Sequence, residues 1–310
     1  MKLLIEVPSW LGDTVMCTPA IENIIKILNK PDITLIGPLS SIKLFENNNH
    51  ITKTFVLERK NSNLNRFAKN LGRFDIFISF RGSIRSKLLK FFITSNKKYQ
   101  YNKNIYENLH QVEKYNNFVN NSLGVKLNPG KLKLFKTDVK PKIKGSKLKA
   151  GINPGASYGS AKQWHPDRFA EVALKLSKNY EIIIFGGDNE KNISKDIERI
   201  LLEKGVKNFS NLTGTTSIQG LINKISSLDL FITGDSGPMH IAASFQIPTV
   251  TIFGPTNDHE TSQWMAEKSV IVKKNLDCQP CMQRTCPLKH HDCMNLIEVN
   301  EVLSAINKLN

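Results

Sequence analysis

Long apolar runs are missing. No stretch approaches the roughly 18 consecutive apolar residues that a bilayer-spanning helix needs, although apolar residues fill 40% of the 310 positions. An integral helical membrane protein is therefore excluded. The opening residues do not read as an export signal, because Glu6 and Asp13 interrupt the apolar stretch and no small-residue cleavage site follows. A cytoplasmic setting is expected. Acid is also scarce: 27 Asp and Glu stand against 43 Lys and Arg, for a formal net charge of +16. A field of that sign favours anionic partners such as nucleic acid, anionic lipid or a phosphorylated substrate. The excess is mostly Lys in a chain also rich in Asn and Ile, so a compositional habit explains it equally well. With neither a helix-turn-helix pattern nor an RNA-binding aromatic signature, no nucleic-acid partner is expected. The Gly-Lys-Ser/Thr ending of a Walker A loop is absent, as is the G-x-G-x-x-G dinucleotide pattern, which counts against NTP hydrolysis and NAD binding. There is no short-period repeat and no low-complexity tract.

What is present is an alternation. "KLLIEV", "DITLIGP", "ITKTFVL" and "FDIFISF" read as strands; "CTPAIENIIKILNK", "SIKLFENN" and "SIRSKLLKFFI" between and after them read as helices. Around 130–150 a Lys-rich segment with Pro and Gly fits a surface linker. The alternation then restarts with the strands of "KAGINPGA", "YEIIIFGG", "DLFITGD" and "IPTVTIFGP". Helices follow from "PDRFAEVALKLSKN", "SIQGLINKISSL" and "GPMHIAASF", and "NLIEVNEVLSAINKLN" closes the chain. Strands alternating with helices predict parallel sheets covered on both faces. The length allows two such domains. Ligands of open α/β sheets bind beyond the carboxyl ends of the strands, so the expected site is a cleft between two α/β halves.

Four stretches carry chemistry. In "PSWLGDTVMCTPA" Gly12 permits a tight turn and Asp13 stands before a helix, where it serves either as a helix cap or as a general base toward a substrate hydroxyl. In "NPGASYGSAKQWHPDRFAEVA" a loop of small residues offers backbone N–H groups to a phosphate and Lys162 adds a point charge; a plain surface loop is the alternative. In "ITGDSGPMHIAASF" Pro238 suits a first helical turn, whose unpaired N–H groups and dipole favour an anion. His240 lies one turn further in, either structural or facing the same pocket, and "FGPT" after the next strand would line the same mouth. Last, Cys278, Cys281, Cys286 and Cys293 crowd together with His290 and His291. In a reducing compartment this reads as metal binding before disulfides. A tetrahedral structural zinc with four thiolates, or three and a His, fits, as do reduced thiols without metal.

These stretches, with "FGGDNE", "NLTGTTSIQGLINKISSLDLF" and "CQPCMQRTCPLKHHDCM", resemble the bacterial lipopolysaccharide heptosyltransferases of glycosyltransferase family 9, most strongly in the C-terminal half. The resemblance implies an α/β GT-B fold of two Rossmann-like domains facing across a cleft. It divides the chain into an acceptor-binding domain over 1–145, a nucleotide-sugar-binding domain over 146–296, and a closing helix over 297–310 packing back on the first domain. It implies inverting transfer of L-glycero-D-manno-heptose from ADP-heptose to the lipopolysaccharide inner core, most similar to addition of the second heptose. No cofactor or catalytic metal is implied. Asp13 would be the base, with Lys162 and the Ser157 region on the pyrophosphate. Gly12, Glu190, Asp235, Ser236, Gly237, Met239 and His240 would bind donor. Arg81 and Arg85 would suit the acidic, phosphorylated acceptor at the inner membrane surface. The rivals are a sibling transferase for another sugar or core position, and a zinc-stabilised protein that binds an anionic surface with an inactive cleft.

Overall fold

The structure, a computed structural model, describes residues 1–58, 63–137, 147–155 and 157–309. The chain forms two compact units, Met1–Thr137 and Asp138–Asn310. The expected boundary at 145/146 and part of the expected linker lie outside the described residues.

The first unit runs β1 (Lys2–Glu6), α1 (Leu11–Met16), α2 (Thr18–Ile27), β2 (Asp32–Gly37), α3 (Leu39–Ile42), β3 (Ile51–Val56), α4 (Leu64–Leu71), β4 (Arg73–Ser79), α5 (Ile84–Phe92), β5 (Thr94–Gln100) and α6 (Gln111–Leu123). Its strands pair in the order β3-β2-β1-β4-β5, all parallel. Central β1 is flanked on both sides, Leu3 lying opposite both Ile33 and Ile76. Leu3, Leu4 and Ile5 are buried accordingly, as a strand covered on both faces requires. On one side of the sheet Leu4, Ile36, Phe74 and Phe77 pack with Leu64, Ala68, Leu89 and Ile93 of the α4–α5 segment. Phe80, Tyr101, Tyr115 and Phe118 form a second, aromatic cluster with edge-on and tilted contacts at 5.0–5.7 Å.

The second unit runs β6 (Leu148–Asn153), α7 (Pro166–Leu176), β7 (Tyr180–Ile184), α8 (Lys191–Glu203), β8 (Phe209–Asn211), α9 (Ile218–Ile225), β9 (Leu230–Gly234), α10 (Gly237–Ser244), β10 (Thr249–Ile252), α11 (Asp258–Thr261), β11 (Ser269–Val272), α12 (Asp292–Asn295) and α13 (Val299–Asn307). Its parallel order is β11-β10-β9-β6-β7-β8. Counted from the first strand of each unit, both sheets wind 3-2-1-4-5, the Rossmann order, and the second adds a sixth strand. The closing helix, expected to pack back on the first domain, instead buries its apolar face in the core of the second unit. Val299, Val302, Ala305 and Ile306 join Trp164, Phe169, Ile182 and Ile252 there. Its approach is fixed by Trp164 Nε1, which donates to the Ile297 carbonyl at 3.1 Å, and by the Arg168 guanidinium on the Asn295 and Ile297 carbonyls.

Candidate active site

In the first unit the candidate residues gather where β1, β2 and β4 end. After β1 the chain turns through Pro8, Ser9 and Trp10. Thr14 Oγ1 donates to the Trp10 carbonyl at 2.9 Å, and Ser41 Oγ to the Pro8 carbonyl at 2.8 Å, fastening the turn to α1 and α3. Trp10 is the N-cap residue of α1 and Asp13 the third residue of that helix. The helix-cap reading of Asp13 is thereby corrected: Asp13 sits inside the first turn, half-buried beside Gly12. Its charge reaches the buried Cys17 thiol and Tyr115 hydroxyl. Burial first, and then Asp13, push both groups well above their ordinary pKa.

Glu6, the last residue of β1, stands outside the expected site and proves to be a buried carboxylate. It accepts hydrogen bonds from Ser79 Oγ at 2.5 Å and Ser86 Oγ at 2.9 Å. Burial raises its pKa, opposed by Ser79, Arg81, Ser86 and Arg85. Arg81 is therefore not a free surface cation: its guanidinium lies 3.4 Å from Glu6 Oε1 and is largely covered. Arg85 donates to the Glu58 carbonyl at 3.1 Å. A carboxylate closing an otherwise apolar central strand was the signal in the sequence, since such a group needs partners.

The second unit gathers its polar residues at the same edge of its sheet. Lys162 ends a short 3₁₀ turn, Ser160–Lys162, and forms an ion pair with Asp235 at the end of β9. Thr256 Oγ1 donates to the same carboxylate at 2.6 Å, so the "FGPT" loop joins the site. Lys162 Nζ also lies 4.7 Å from the centre of the Tyr158 ring. Asp235 is thus a buried holder of Lys162 and Thr256, and its carboxylate is committed within the protein. Ser236 caps α10 in position, and Asn153 Nδ2 donates to Thr233 Oγ1 and Ser236 Oγ, both at 3.1 Å. Gly237 opens α10 and Pro238 follows, as anticipated. Met239 and His240 are buried in α10, so Met239 serves as packing through its side chain. Ser157 is exposed at the head of the loop.

Of the two acids in "FGGDNE", Glu190 is the buried one. Its Oε2 accepts from the Gly187 N–H at 2.7 Å, whereas Asp188 points outward to Lys191 at 2.7 Å. A Cβ at Gly155 would stand 1.9 Å from Glu190 Cγ, which makes glycine obligatory where the two loops meet.

The cysteine segment clamps the Lys162 loop and the Thr256 loop. The Ala161 N–H donates to the Arg284 carbonyl at 3.0 Å, and the Tyr158 hydroxyl to the Met282 carbonyl at 2.6 Å. The Met282 N–H donates to the Pro255 carbonyl at 2.9 Å, and Gln279 Nε2 to the Gly254 carbonyl at 2.6 Å. Cys278, Cys281, Cys286 and Cys293, with His290 and His291, line a cavity of about 20 Å³. All four thiols are free, and burial together with the charges of the other three pushes Cys293 up to about 11. Among the described residues, no three of His, Cys, Asp and Glu stand arranged to hold a metal ion. No helix among them is long and apolar enough to cross a membrane.

Residues 64–291 match the family model of glycosyltransferase family 9 (heptosyltransferase). Over 316 aligned positions the chain is 40% identical to a lipooligosaccharide heptosyltransferase 2 of Campylobacter jejuni subsp. jejuni serotype O:6, covering 100% of this chain and 99% of that protein. The solved structure of E. coli ADP-heptose LPS heptosyltransferase II superposes with a TM-score of 0.80 at 20% identity, covering 100% of this chain and 98% of that one. A family 9 glycosyl transferase from Veillonella parvula DSM 2008 gives 0.80 at 21%, covering 99% and 96%. At such identities these two show the fold, which is GT-B. With a family match across most of its length and a full-length relative at 40% identity, the chain belongs to glycosyltransferase family 9, the heptosyltransferases.

Proposed function

We propose that the chain transfers L-glycero-D-manno-heptose from ADP-heptose onto the lipopolysaccharide inner core, adding the second heptose with inversion and without a catalytic metal. The observation that carries this reading is the full-length likeness to a lipooligosaccharide heptosyltransferase 2, joined to a carboxylate in the Pro8–Asp13 turn and a cation fixed beside a helix N-terminus. Asp13 takes the proton from the acceptor hydroxyl as its oxygen attacks the anomeric carbon. The bond from that carbon to the ADP oxygen breaks, and ADP leaves with the electron pair. Lys162 and the amides opening α10 meet the developing phosphate charge. Fixed donors of this kind can do what a metal otherwise does. Asp235 and Thr256 hold the Lys162 ammonium in place, and Glu190 shapes the neighbouring donor loop. Arg81 and Arg85 serve the acidic acceptor, Arg81 while remaining tied to Glu6.

The acceptor is borne on lipid at the cytoplasmic face of the inner membrane, so the enzyme works there as a cytoplasmic, peripheral protein. Four thiols have the donor chemistry for a structural zinc; no step of the transfer is routed through them. The decisive assay follows ADP release from ADP-heptose with a core acceptor truncated after its first heptose, in EDTA. Acceptor-dependent turnover that persists in EDTA and falls by about 10²–10⁴-fold in Asp13→Asn is the expected result. A wild-type enzyme inert toward this pair, or an active Asp13→Asn variant, overturns the reading.

A further inference from the structure

The α5 helix has two apolar faces, and the sheet needs one. Leu89 is buried in the core with Ile93 beyond the helix end, and Phe92 packs against them. On the opposite side Ile84, Leu88 and Phe91 are 79%, 51% and 78% exposed. Their spacing of four and three residues places them in one stripe along the helix. Isolated exposed apolar residues are ordinary; three in register on one helix, one of them a Phe, form a patch.

The surroundings of the stripe are basic. Lys87 is exposed on the same face, and neighbouring α4 exposes Arg66 and Lys69. Lys98 Nζ donates to the carbonyls of Lys90 and Phe91 at 3.0 and 3.4 Å, bringing a charge to the C-terminal end of the stripe. Over residues 63–100 the chain has nine Lys and Arg and a single acid, Asp75. That acid accepts from the Lys2 backbone N–H at 2.7 Å. An exposed apolar stripe inside a field of cations is the chemistry of an interfacial helix, apolar residues entering the headgroup–acyl boundary and cations on anionic headgroups. Nucleic acid would use the cations and leave the stripe unexplained.

We propose that α5 docks the first unit on an anionic lipid surface, with Ile84, Leu88 and Phe91 as the inserted residues and Lys87, Arg66 and Lys69 as headgroup contacts. Ser86, in the first turn of α5, donates to Glu6 at the end of β1, so the docking helix is tied to the strand that leads into the Asp13 turn. The service this renders, bringing that edge to a lipid-borne acceptor, rests on the proposed function; the docking itself does not.

The test uses the full chain with no donor or acceptor, and vesicles of phosphatidylcholine with or without phosphatidylglycerol. Wild type is expected to co-sediment with the anionic vesicles, and the triple variant Ile84→Ser, Leu88→Ser, Phe91→Ser to lose at least about tenfold in partition coefficient. Lys87→Glu with Lys69→Glu is expected to abolish the dependence on phosphatidylglycerol and on salt. The Phe91→Trp variant should shift its emission to the blue on the vesicles and be quenched by brominated acyl chains. Equal binding by wild type and the triple serine variant overturns the proposal, as does an emission from Phe91→Trp that the vesicles leave unshifted. A wild-type dimer made monomeric by the serine variant reassigns the stripe to a second copy and overturns it too. Circular dichroism and melting temperature establish that the variants fold. Turnover on a delipidated acceptor separates the two readings: transfer without vesicle binding removes only the docking, and binding without transfer removes only the proposed reaction.

Discussion

Residues 1–137 and 138–310 build sheets of the same winding, yet the first part carries 22 Lys and Arg against 9 Asp and Glu, and the second 21 against 18. The net charges are +13 and +3. A shared fold thus leaves charge undetermined, and the proposed function gives its uneven placement a use, a basic first unit for an acidic acceptor. The strand ends differ in the same sense. In the first unit they carry carboxylates, Glu6 and Asp13, set against hydroxyls, a thiol and aromatic rings. In the second they carry glycine loops around a cation that an acid holds still. Exposed aromatic side chains follow the charge: among the described residues Trp10, Phe55 and Phe91 all belong to the first unit.

The largest effect expected from breaking this contrast is at its two aspartates. Asp13→Asn should lower kcat by about 10²–10⁴-fold with the melting temperature and the donor KM nearly unchanged, because the role proposed for Asp13 is to take the acceptor proton and amide for carboxylate is a nearly isosteric change. Asp235→Asn should do the reverse. Lys162 loses its ion pair, stability falls by about 1–3 kcal/mol, and donor KM rises more than kcat falls. Steady-state kinetics beside denaturant titration check both, and a loss of kcat alone in Asp235→Asn would make it a reacting group.

A smaller effect is expected at Gly159. A Cβ there would stand 2.3 Å from the Arg284 carbonyl oxygen, a backbone atom that cannot step aside cheaply. Gly159→Ala should push the cysteine segment off the Lys162 loop at a cost of about 1–3 kcal/mol. Calorimetric ADP binding should weaken while vesicle binding by the first unit stays as it was. Unchanged ADP affinity would mean that the clamp between these segments does not position the donor loop.

How far all this is legible in the sequence depends on what each element buries. The central strands are plain, since "KLLIEV" and "DLFITGD" are apolar on both faces. Edge strand β5, "TSNKKYQ", offers no apolar run because half of it faces outward, and α6, "QVEKYNNFVNNSL", hides its periodicity among Asn residues that are themselves buried. There Asn116 Nδ2 and Asn120 Nδ2 donate to the Leu127 carbonyl at 2.6 and 2.9 Å. The short helix at Leu11–Met16 merges, in the sequence, with the turn before it. Within the site, Lys162, Asp235 and the loop of Thr256 are legible as neighbours by their place after strands. That Asp235 grips Lys162 is not, because pairing across 73 residues of sequence depends on which strands are adjacent. The closing helix lands in the unexpected core for the same reason: its apolar spacing declares a buried face and says nothing of which core receives it.

The smallest expected effect concerns the buried acid of the first unit. Glu6 has its pKa raised in the folded chain, by burial that outweighs Ser79, Arg81, Ser86 and Arg85. The native state therefore holds a proton that the unfolded chain releases near the ordinary value of 4.5. Stability then falls as pH rises from that value to the raised native one, with a slope no steeper than about 1.4 kcal/mol per pH unit for one proton. Glu6→Gln cannot titrate and still offers an oxygen to one of the two serines, so it should flatten this slope. Arg81 would be released from a negative partner, and acceptor KM should shift while donor KM does not. If the slope survives in Glu6→Gln, the titrating group lies elsewhere. If donor KM moves instead of acceptor KM, Arg81 does not serve the acceptor, and the division of labour between the basic first unit and the balanced second one would have to be redrawn.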